Sequence, residues 1–161
     1  MNRILSIILF CCVFISACAQ KSKSNFPKAL GYVSDFENVF TVQERKVLDS
    51  MLTAYEKETT VEIGVVTLHD KYPGIGNFDS LVTALHNEWG VGKKEKNNGV
   101  VLAICVPLRK MRISTGLGIE TVLTNEEARK IIEEILVPEF RNAKYFEGTR
   151  RGLVAIMNEL R

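Results

Sequence analysis

Residues 99–106 of the chain are GVVLAICV, and residues 61–68 are VEIGVVTL. Both segments are short, apolar and rich in β-branched side chains, which is typical of strands that are buried inside a sheet. Residues 111–114 (MRIS) follow residues 99–106 after a tight turn and alternate apolar with polar side chains. We expect them to form a half-exposed hairpin partner. The sequence therefore predicts a small β-sheet in which these apolar segments are buried strands.

Segments with helical periodicity surround the predicted strands. Residues 41–44 (TVQE) have the form of a capping box, in which the threonine hydroxyl and the glutamate carboxylate satisfy N–H groups that a helix start leaves unpaired. They predict a helix over about residues 42–58. Residues 124–127 (TNEE) repeat this form and predict a third helix, which Pro138 should end. Apolar residues at helical spacing predict a second helix over residues 78–90 and a last one at the C-terminus.

The order of these segments predicts the fold class. It is α-β-α-β-β-α-α, with residues 33–40 expected to form an irregular extended lead-in. A small mixed central sheet covered by helices on both faces is the simplest way to bury these apolar stripes. We therefore expect an α/β fold, a three-layer α/β/α sandwich, in one domain over residues 29–161. The chain's 161 residues fit one such domain.

The first eighteen residues have the form of an export signal. One early arginine precedes the apolar run of residues 4–15, which is too short to span a bilayer comfortably. Residues 15–18 (ISAC) are similar to the lipobox of bacterial lipoprotein precursors. This resemblance implies a signal peptide over residues 1–17, cleavage before Cys18, and a lipid on the Cys18 thiol. The alternative is an ordinary secretory signal that leaves a soluble periplasmic protein.

Residues 18–28 are expected to link the lipid to the folded domain. Residues 20–27 (QKSKSNFP) are polar and low in complexity, as in a flexible tether. We therefore expect a lipoprotein of the cell envelope that is anchored to a membrane through Cys18 and faces the periplasm or the exterior. Once Cys11, Cys12 and Cys18 are assigned to this region, Cys105 remains as a core thiol.

Charge and motifs exclude several functions. Lys and Arg total 21 against 19 Asp and Glu, so the net charge of +2 is too small to indicate a nucleic-acid partner. No zinc pattern, Walker loop or nucleophile elbow is present, and we expect neither zinc nor a nucleotide. His69 and His86 are expected at the surface. Residues 116–118 (GLG) lack the third glycine of a dinucleotide fingerprint.

Oxygen-bearing side chains recur on the predicted loops. Such oxygens are the ligands that Ca²⁺ or Mg²⁺ needs, although the same residues are also common in solvated turns. The loop residues of this kind are Asp35, Glu37, Asp70, Asp79, Asn97, Asn98 and Glu120.

Six short blocks occur in a fixed order along the chain. They are residues 33–35 (VSD), 61–67 (VEIGVVT), 89–92 (WGVG), 97–102 (NNGVVL), 112–120 (RISTGLGIE) and 135–141 (ILVPEFR). Taken together they resemble the TPM-domain family, which is named for a thylakoid-lumen phosphatase, a photosystem-II-associated protein and a receptor modulator. The resemblance implies an α/β/α sandwich that faces an extracytoplasmic space. It also implies the divalent-cation binding and weak acid phosphatase activity of some members.

The resemblance also assigns candidate site residues. The family's N-terminal aspartate falls on Asp35, and its Asp-Asn-Gly block falls on Asn97, Asn98 and Gly99, with Asn97 replacing the usual aspartate. Losing this carboxylate weakens the attraction for a doubly charged ion. The implied metal ligands are Asp35, Asn97, Asn98 and Glu120, the catalytic candidates are Asp35 and Glu120, and the turn or backbone positions are Gly99, Gly116 and Gly118.

Three functional hypotheses follow. The first is a membrane-tethered binding or assembly module with a protein partner and a Ca²⁺ or Mg²⁺ site that stiffens its loops. The second is a weak metal-assisted phosphatase in which Asp35 or Glu120 activates water or acts as nucleophile. The third is that Gly116, Gly118 and Asn98 serve only tight turns.

Overall fold

A computed structural model describes residues 26–161 of the chain. The signal peptide, the lipid attachment at Cys18 and most of the tether were predicted on residues that lie outside this range. Among the described residues, none of the helices has the length and apolar character needed to cross a membrane.

A four-stranded mixed sheet forms the centre of the molecule, with the strands in the order β1-β2-β3-β4. The strands are β1 (Val33–Asp35), β2 (Glu62–Thr67), β3 (Gly99–Cys105) and β4 (Lys110–Thr115). β1, β2 and β3 run parallel, and β4 pairs antiparallel with β3. The two apolar segments are thus the two central strands.

The first strand was not predicted, because residues 33–40 were expected to be an irregular lead-in. Val33 pairs with Val65 and Asp35 with Thr67, and all three residues of β1 are buried. Three residues are too few to display an alternating pattern, so β1 depends on its pairing with β2 rather than on a local signal.

Helices cover both faces of the sheet. They are α1 (Val42–Thr59), α2 (Phe78–Trp89), α3 (Asn125–Lys130), α4 (Val137–Arg141) and α5 (Tyr145–Glu159). A 3₁₀ turn, Ile75–Asn77, precedes α2, and a π-helical turn, Ile131–Leu136, joins α3 to α4. Both predicted capping boxes are present, at Thr41 and at Thr124.

Alternating side chains of the central strands pack into two separate apolar cores. Val100, Leu102 and Ile104 of β3 belong to the core that includes residues of α1, α3 and α5. Val101 and Ala103, which point the opposite way, pack with residues of α2 in the second core. This arrangement confirms the α/β fold and its three layers.

The prediction that Pro138 ends a helix was wrong. The helical chain passes through Pro138, which lies in the first turn of α4, and continues to Arg141. In the preceding π-helical turn, the Val137 N–H bonds to the carbonyl of Ile132, five residues earlier. Because the hydrogen-bond pattern already changes there, the proline without an N–H is accommodated.

Candidate functional site

The predicted site residues lie at two opposite ends of the sheet. We call the edge where β1, β2 and β3 begin the amino end, and the edge where they finish the carboxyl end. Asp35 ends β1 and is opposite Thr67, which in turn is opposite Ile104 of β3. Asn97 and Asn98 immediately precede β3, so the five residue steps from Gly99 to Ile104 separate them from Asp35 by about 16 Å along the strands.

The structure therefore does not bring the four predicted metal ligands together. Asp35 lies at the carboxyl end, and Asn97 and Asn98 lie at the amino end. Glu120 belongs with the second group, because the N–H of Gly118, two residues before it, donates to the Asn97 carbonyl at 3.0 Å. A single ion cannot contact both groups.

The Asp35 carboxylate is engaged by the protein itself. Asp35 is only 3% exposed. Oδ1 accepts hydrogen bonds from the Val39 N–H at 2.9 Å and from the Thr67 hydroxyl at 2.7 Å, and Oδ2 accepts one from the Phe40 N–H at 2.9 Å. These bonds close the loop between β1 and α1, so the carboxylate stabilises the fold at this point.

Glu37 lies beside Asp35 at the carboxyl end. One of its carboxylate oxygens accepts a hydrogen bond from the Val106 N–H at 3.2 Å, and its own N–H donates to the Thr67 hydroxyl. Burial raises the pKa of Glu37. The hydrogen bond from the Val106 N–H and the charge of His69 lower this pKa, whereas the nearby Asp35 and Asp70 raise it further. Glu37 was identified from the sequence only as a loop oxygen donor. Its position just after the end of β1 is the signal that places it here, and that signal is available only once β1 is recognised as a strand.

Close backbone contacts between two loops form the amino end. The Gly116 N–H donates to the Gly99 carbonyl at 2.8 Å. A Cβ atom on Gly116 would lie 2.2 Å from the Asn97 carbonyl oxygen, and one on Gly118 would lie 1.9 Å from the Lys96 carbonyl oxygen. No side chain fits at either position, so these glycines allow residues 96–99 and 116–118 to pack directly against each other.

Asn98 connects these loops to helix α1. It is 5% exposed, its side-chain oxygen accepts from the Lys93 N–H at 2.9 Å, and its amide donates to the Thr60 carbonyl at 2.8 Å. Asn97 and Glu120 are instead exposed. Among residues 26–161, no group of three or more His, Cys, Asp or Glu side chains is placed to hold a metal ion.

A charged group also ties the amino end together. Glu56 of α1 accepts hydrogen bonds from the Lys93 ammonium and from the Tyr32 hydroxyl. Lys93 first, and then Tyr32, lower the pKa of Glu56 despite its partial burial. The loop that carries Asn97 is therefore fixed to helix α1 as well as to the loop that follows β4.

The two histidines differ in environment. His69 is exposed, as expected, but the surface prediction was wrong for His86, which is only 6% exposed. His86 lies in α2 against β4, with its Nδ1 atom 3.0 Å from the Ser114 hydroxyl oxygen. Burial lowers the pKa of His86, and a backbone hydrogen bond with Val91 opposes this. Its place four residues after the buried Val82, on the same apolar face of α2, is the signal that indicates burial.

Cys105 is fully buried at the end of β3. Burial raises the pKa of its thiol, with a smaller opposing contribution from the Leu108 backbone. A thiol in this environment is a packing group rather than a nucleophile.

Comparisons with known proteins agree on one family. A family model described as the TPM domain matches residues 33–159. The solution NMR structure of the N-terminal domain of a protein from P. gingivalis is 31% identical, with a TM-score of 0.70, covering 80% of this chain and 81% of that chain. A search of functionally curated proteins gave no match.

Two more distant structures show the same fold. The NMR structure of BA42 from the psychrophilic bacterium Bizionia argentinensis is 24% identical, with a TM-score of 0.62, and covers 78% of this chain and 83% of that chain. The N-terminal domain of cg2496 from Corynebacterium glutamicum is 12% identical, with a TM-score of 0.59 and 84% coverage of each chain.

Proposed function

This chain belongs to the TPM-domain family, and from that premise we propose that it is a membrane-tethered, extracytoplasmic binding or assembly module rather than a phosphatase. In this proposal Cys18 carries the lipid anchor, and the domain faces the periplasm or the exterior of the cell envelope. The domain binds a protein partner through its amino end, where Ca²⁺ or Mg²⁺ stiffens the loops.

One observation carries the choice of a module over an enzyme. The two catalytic candidates, Asp35 and Glu120, lie at opposite ends of the sheet, and both carboxylate oxygens of Asp35 accept hydrogen bonds from the protein. A nucleophile or general base must reach the reacting atom, and a pair of groups must share one substrate. This arrangement supports neither role for Asp35.

The amino end suits the proposed partner and cation. Leu117 is 74% exposed between two glycines whose backbones are held against the neighbouring loop. An apolar side chain on a fixed backbone is a low-cost anchor for a protein partner, because little conformational freedom is lost on binding. Asn97 and Glu120 supply exposed oxygen donors at the same end. Ca²⁺ and Mg²⁺ are hard cations that bind such oxygen ligands.

Titration with Ca²⁺ and with Mg²⁺, followed by amide NMR spectra, tests the cation part. We expect saturable shifts confined to residues 96–99 and 116–120, and their loss in an Asn97→Ala, Glu120→Gln double variant. Glu134→Gln is the matched control, since Glu134 is an exposed carboxylate on the π-helical turn. No shifts at millimolar cation would remove the cation from the proposal.

Turnover of p-nitrophenyl phosphate at pH 5 tests the phosphatase alternative. We expect wild type and Glu120→Gln to show the same background rate with Ca²⁺ or Mg²⁺ present. Asp35→Asn is measured alongside, with circular dichroism to verify that it is folded. A wild-type rate well above background that falls in both folded variants would establish the phosphatase in place of the module.

Metabolic labelling with a radioactive fatty acid tests the anchor. We expect label on the wild-type protein and none on a Cys18→Ser variant, which should leave the membrane fraction. An unlabelled wild-type protein that is released as a soluble form would instead support an ordinary secretory signal.

A further inference from the structure

We propose that a recess at the carboxyl end of the sheet binds an organic anion, with its carboxylate or phosphate group held by Arg109, Lys110 and Arg141 and its apolar body against Phe140 and Tyr145. This site is separate from the amino end and does not depend on the module proposed above.

The recess has a volume of about 500 Å³, within the range of pockets that take drug-sized ligands. Its walls come from the end of β3, the β3–β4 turn, α4 and the start of α5. Phe140 and Tyr145 form an edge-to-face pair with ring centroids 5.2 Å apart. The other apolar residues of the wall are Ile104, Cys105, Val106, Met111, Val137 and Ala143. Such a surface favours a hydrocarbon or aromatic body.

The charged residues that line the recess are all basic, namely Arg109, Lys110 and Arg141. None of the three takes part in an ion pair with any residue of the described range 26–161. The six ion pairs found there use other cations, which are Lys93, Arg112, Arg129, Lys130, Arg150 and Arg151. Three cations that form no ion pair line this recess, against the single Glu37 carboxylate bonded to the N–H of the wall residue Val106, and they attract an anion. Guanidinium groups match carboxylate and phosphate oxygens in pairs.

Arg109 also has an unusual backbone conformation. Its φ is +52°, in the left-handed region, at the close of a tight turn in which its N–H donates to the Val106 carbonyl at 3.0 Å. Glycine or asparagine fits this position at lower energy. An arginine there costs backbone energy, as do Thr60 and Ala143 at their positive φ values of +65° and +56°, so the proposed site depends on the charges and the recess rather than on this conformation.

A second, more open recess of about 650 Å³ continues from the first. It shares Arg109, Lys110, Met111 and Val137 with the first recess and extends to the start of α2, where the lining residue Asp79 pairs with Arg112. Arg109 and Lys110 therefore lie where the two recesses meet, and a ligand longer than the first recess can extend across the β3–β4 turn. Ligands in open α/β sheets bind preferentially at this end of the strands.

Amide NMR titration with octyl phosphate, below its micelle-forming concentration, tests the proposal on the purified protein. We expect saturable shifts at Ile104, Met111 and Tyr145. We expect affinity about tenfold or more lower in Arg109→Gln and in Arg141→Gln, as for the loss of one charge-assisted hydrogen bond. Arg129→Gln is the matched control, because it removes an exposed arginine that pairs with Glu133. The same titration with uncharged 1-octanol measures how much of the affinity comes from the apolar chain, and the difference from octyl phosphate gives the contribution of the anionic group.

The outcomes distinguish the sources of the anion. Binding of octyl phosphate without binding to phosphatidylglycerol vesicles assigns a free organic anion. Binding to both, with phosphatidylcholine vesicles left unbound and the same two arginines required, assigns the headgroup of an anionic lipid. Affinity unchanged in both arginine variants, or equal affinity for 1-octanol, would overturn the site. Because the amino end is untouched by these variants, failure here leaves the cation titration unaffected.

Discussion

The two ends of the sheet are built in different ways. At the amino end, glycines allow backbones to touch, and Gly92, Gly99, Gly116 and Gly118 all lie where an added Cβ would overlap another chain segment. At the carboxyl end, side-chain hydrogen bonds connect the loops, and the carboxylate of Asp35 alone binds groups from three residues. Added volume should therefore damage the amino end, while loss of the Asp35 carboxylate should damage the carboxyl end.

Gly99→Ala should have the largest effect. Its Cβ would lie 1.9 Å from the Val91 carbonyl oxygen, at the first residue of a buried central strand. Backbone atoms on both sides would have to move, and we expect a loss of about 3 to 4 kcal/mol in the free energy of unfolding, measured by chemical denaturation. Gly76→Ala is the control, since nothing lies within 4 Å of its added Cβ. Equal, small losses of unfolding free energy in both variants would show that the backbone of the amino end moves to accommodate the added Cβ at little cost.

Asp35→Asn should destabilise the carboxyl end by about 2 to 3 kcal/mol, measured in the same way. An asparagine retains one acceptor oxygen, so its amide group must face one of the N–H or hydroxyl donors that now reach the carboxylate. Asp49→Asn provides the comparison, because Asp49 accepts one hydrogen bond, from the Val33 N–H, and is only partly buried. A smaller loss for Asp35 than for Asp49 would contradict the role assigned to the buried carboxylate.

The parts of this fold that were predicted correctly depend on local patterns. The β2 and β3 segments, the helices and the capping boxes at Thr41 and Thr124 each show their signal within about fifteen residues. β1 was missed because its three residues gain their structure from β2, some thirty positions away.

The site could be predicted only as residue types. Asp35 ends β1, whereas Asn98 precedes the parallel strand β3. Because these strands run in the same direction, the two residues lie at opposite edges of the sheet. That separation can be predicted only once β1 is recognised as a strand. The recess was not predicted at all. Arg109 and Arg141 are 32 positions apart, and neither belongs to a motif, so only the tertiary fold brings them to one cavity.

The two ends should respond to pH in opposite directions. His86, whose α2 helix ends beside the amino end, has a pKa that burial lowers from its ordinary value of 6.5. The unfolded chain therefore binds the proton more tightly than the folded protein. Its contribution to stability is complete above pH 6.5 and is lost as the pH falls from there through the lowered pKa.

His86→Gln should remove this dependence, measured as the slope of unfolding free energy between pH 5.5 and 7.5. His69→Gln serves as the comparison, because His69 is the chain's other histidine and is exposed. An unchanged slope in His86→Gln would show that another group governs the acid sensitivity.

Arg109→Gly should stabilise the carboxyl end while it weakens the proposed anion site. Glycine adopts the observed φ of +52° without the steric cost that a side chain incurs, so we expect a gain of about 0.5 to 1 kcal/mol. Octyl phosphate affinity should fall in the same variant. A loss of stability would show that the backbone at Arg109 is not strained. A gain in stability with unchanged octyl phosphate affinity would show that the Arg109 side chain does not bind the ligand.

Glu37→Gln should have the smallest effect and the opposite pH dependence to His86. Burial raises the pKa of Glu37 above its ordinary value of 4.5, so between these two values the folded protein binds the proton more tightly than the unfolded chain. Wild-type stability should therefore fall as the pH rises from 4.5 through the raised pKa. The glutamine keeps an oxygen for the Val106 N–H and has no charge to bury. The variant should thus gain stability relative to wild type across this interval, as measured by denaturation at successive pH values. A difference that stays constant with pH would mean that the carboxylate is as well solvated in the folded protein as in the unfolded chain.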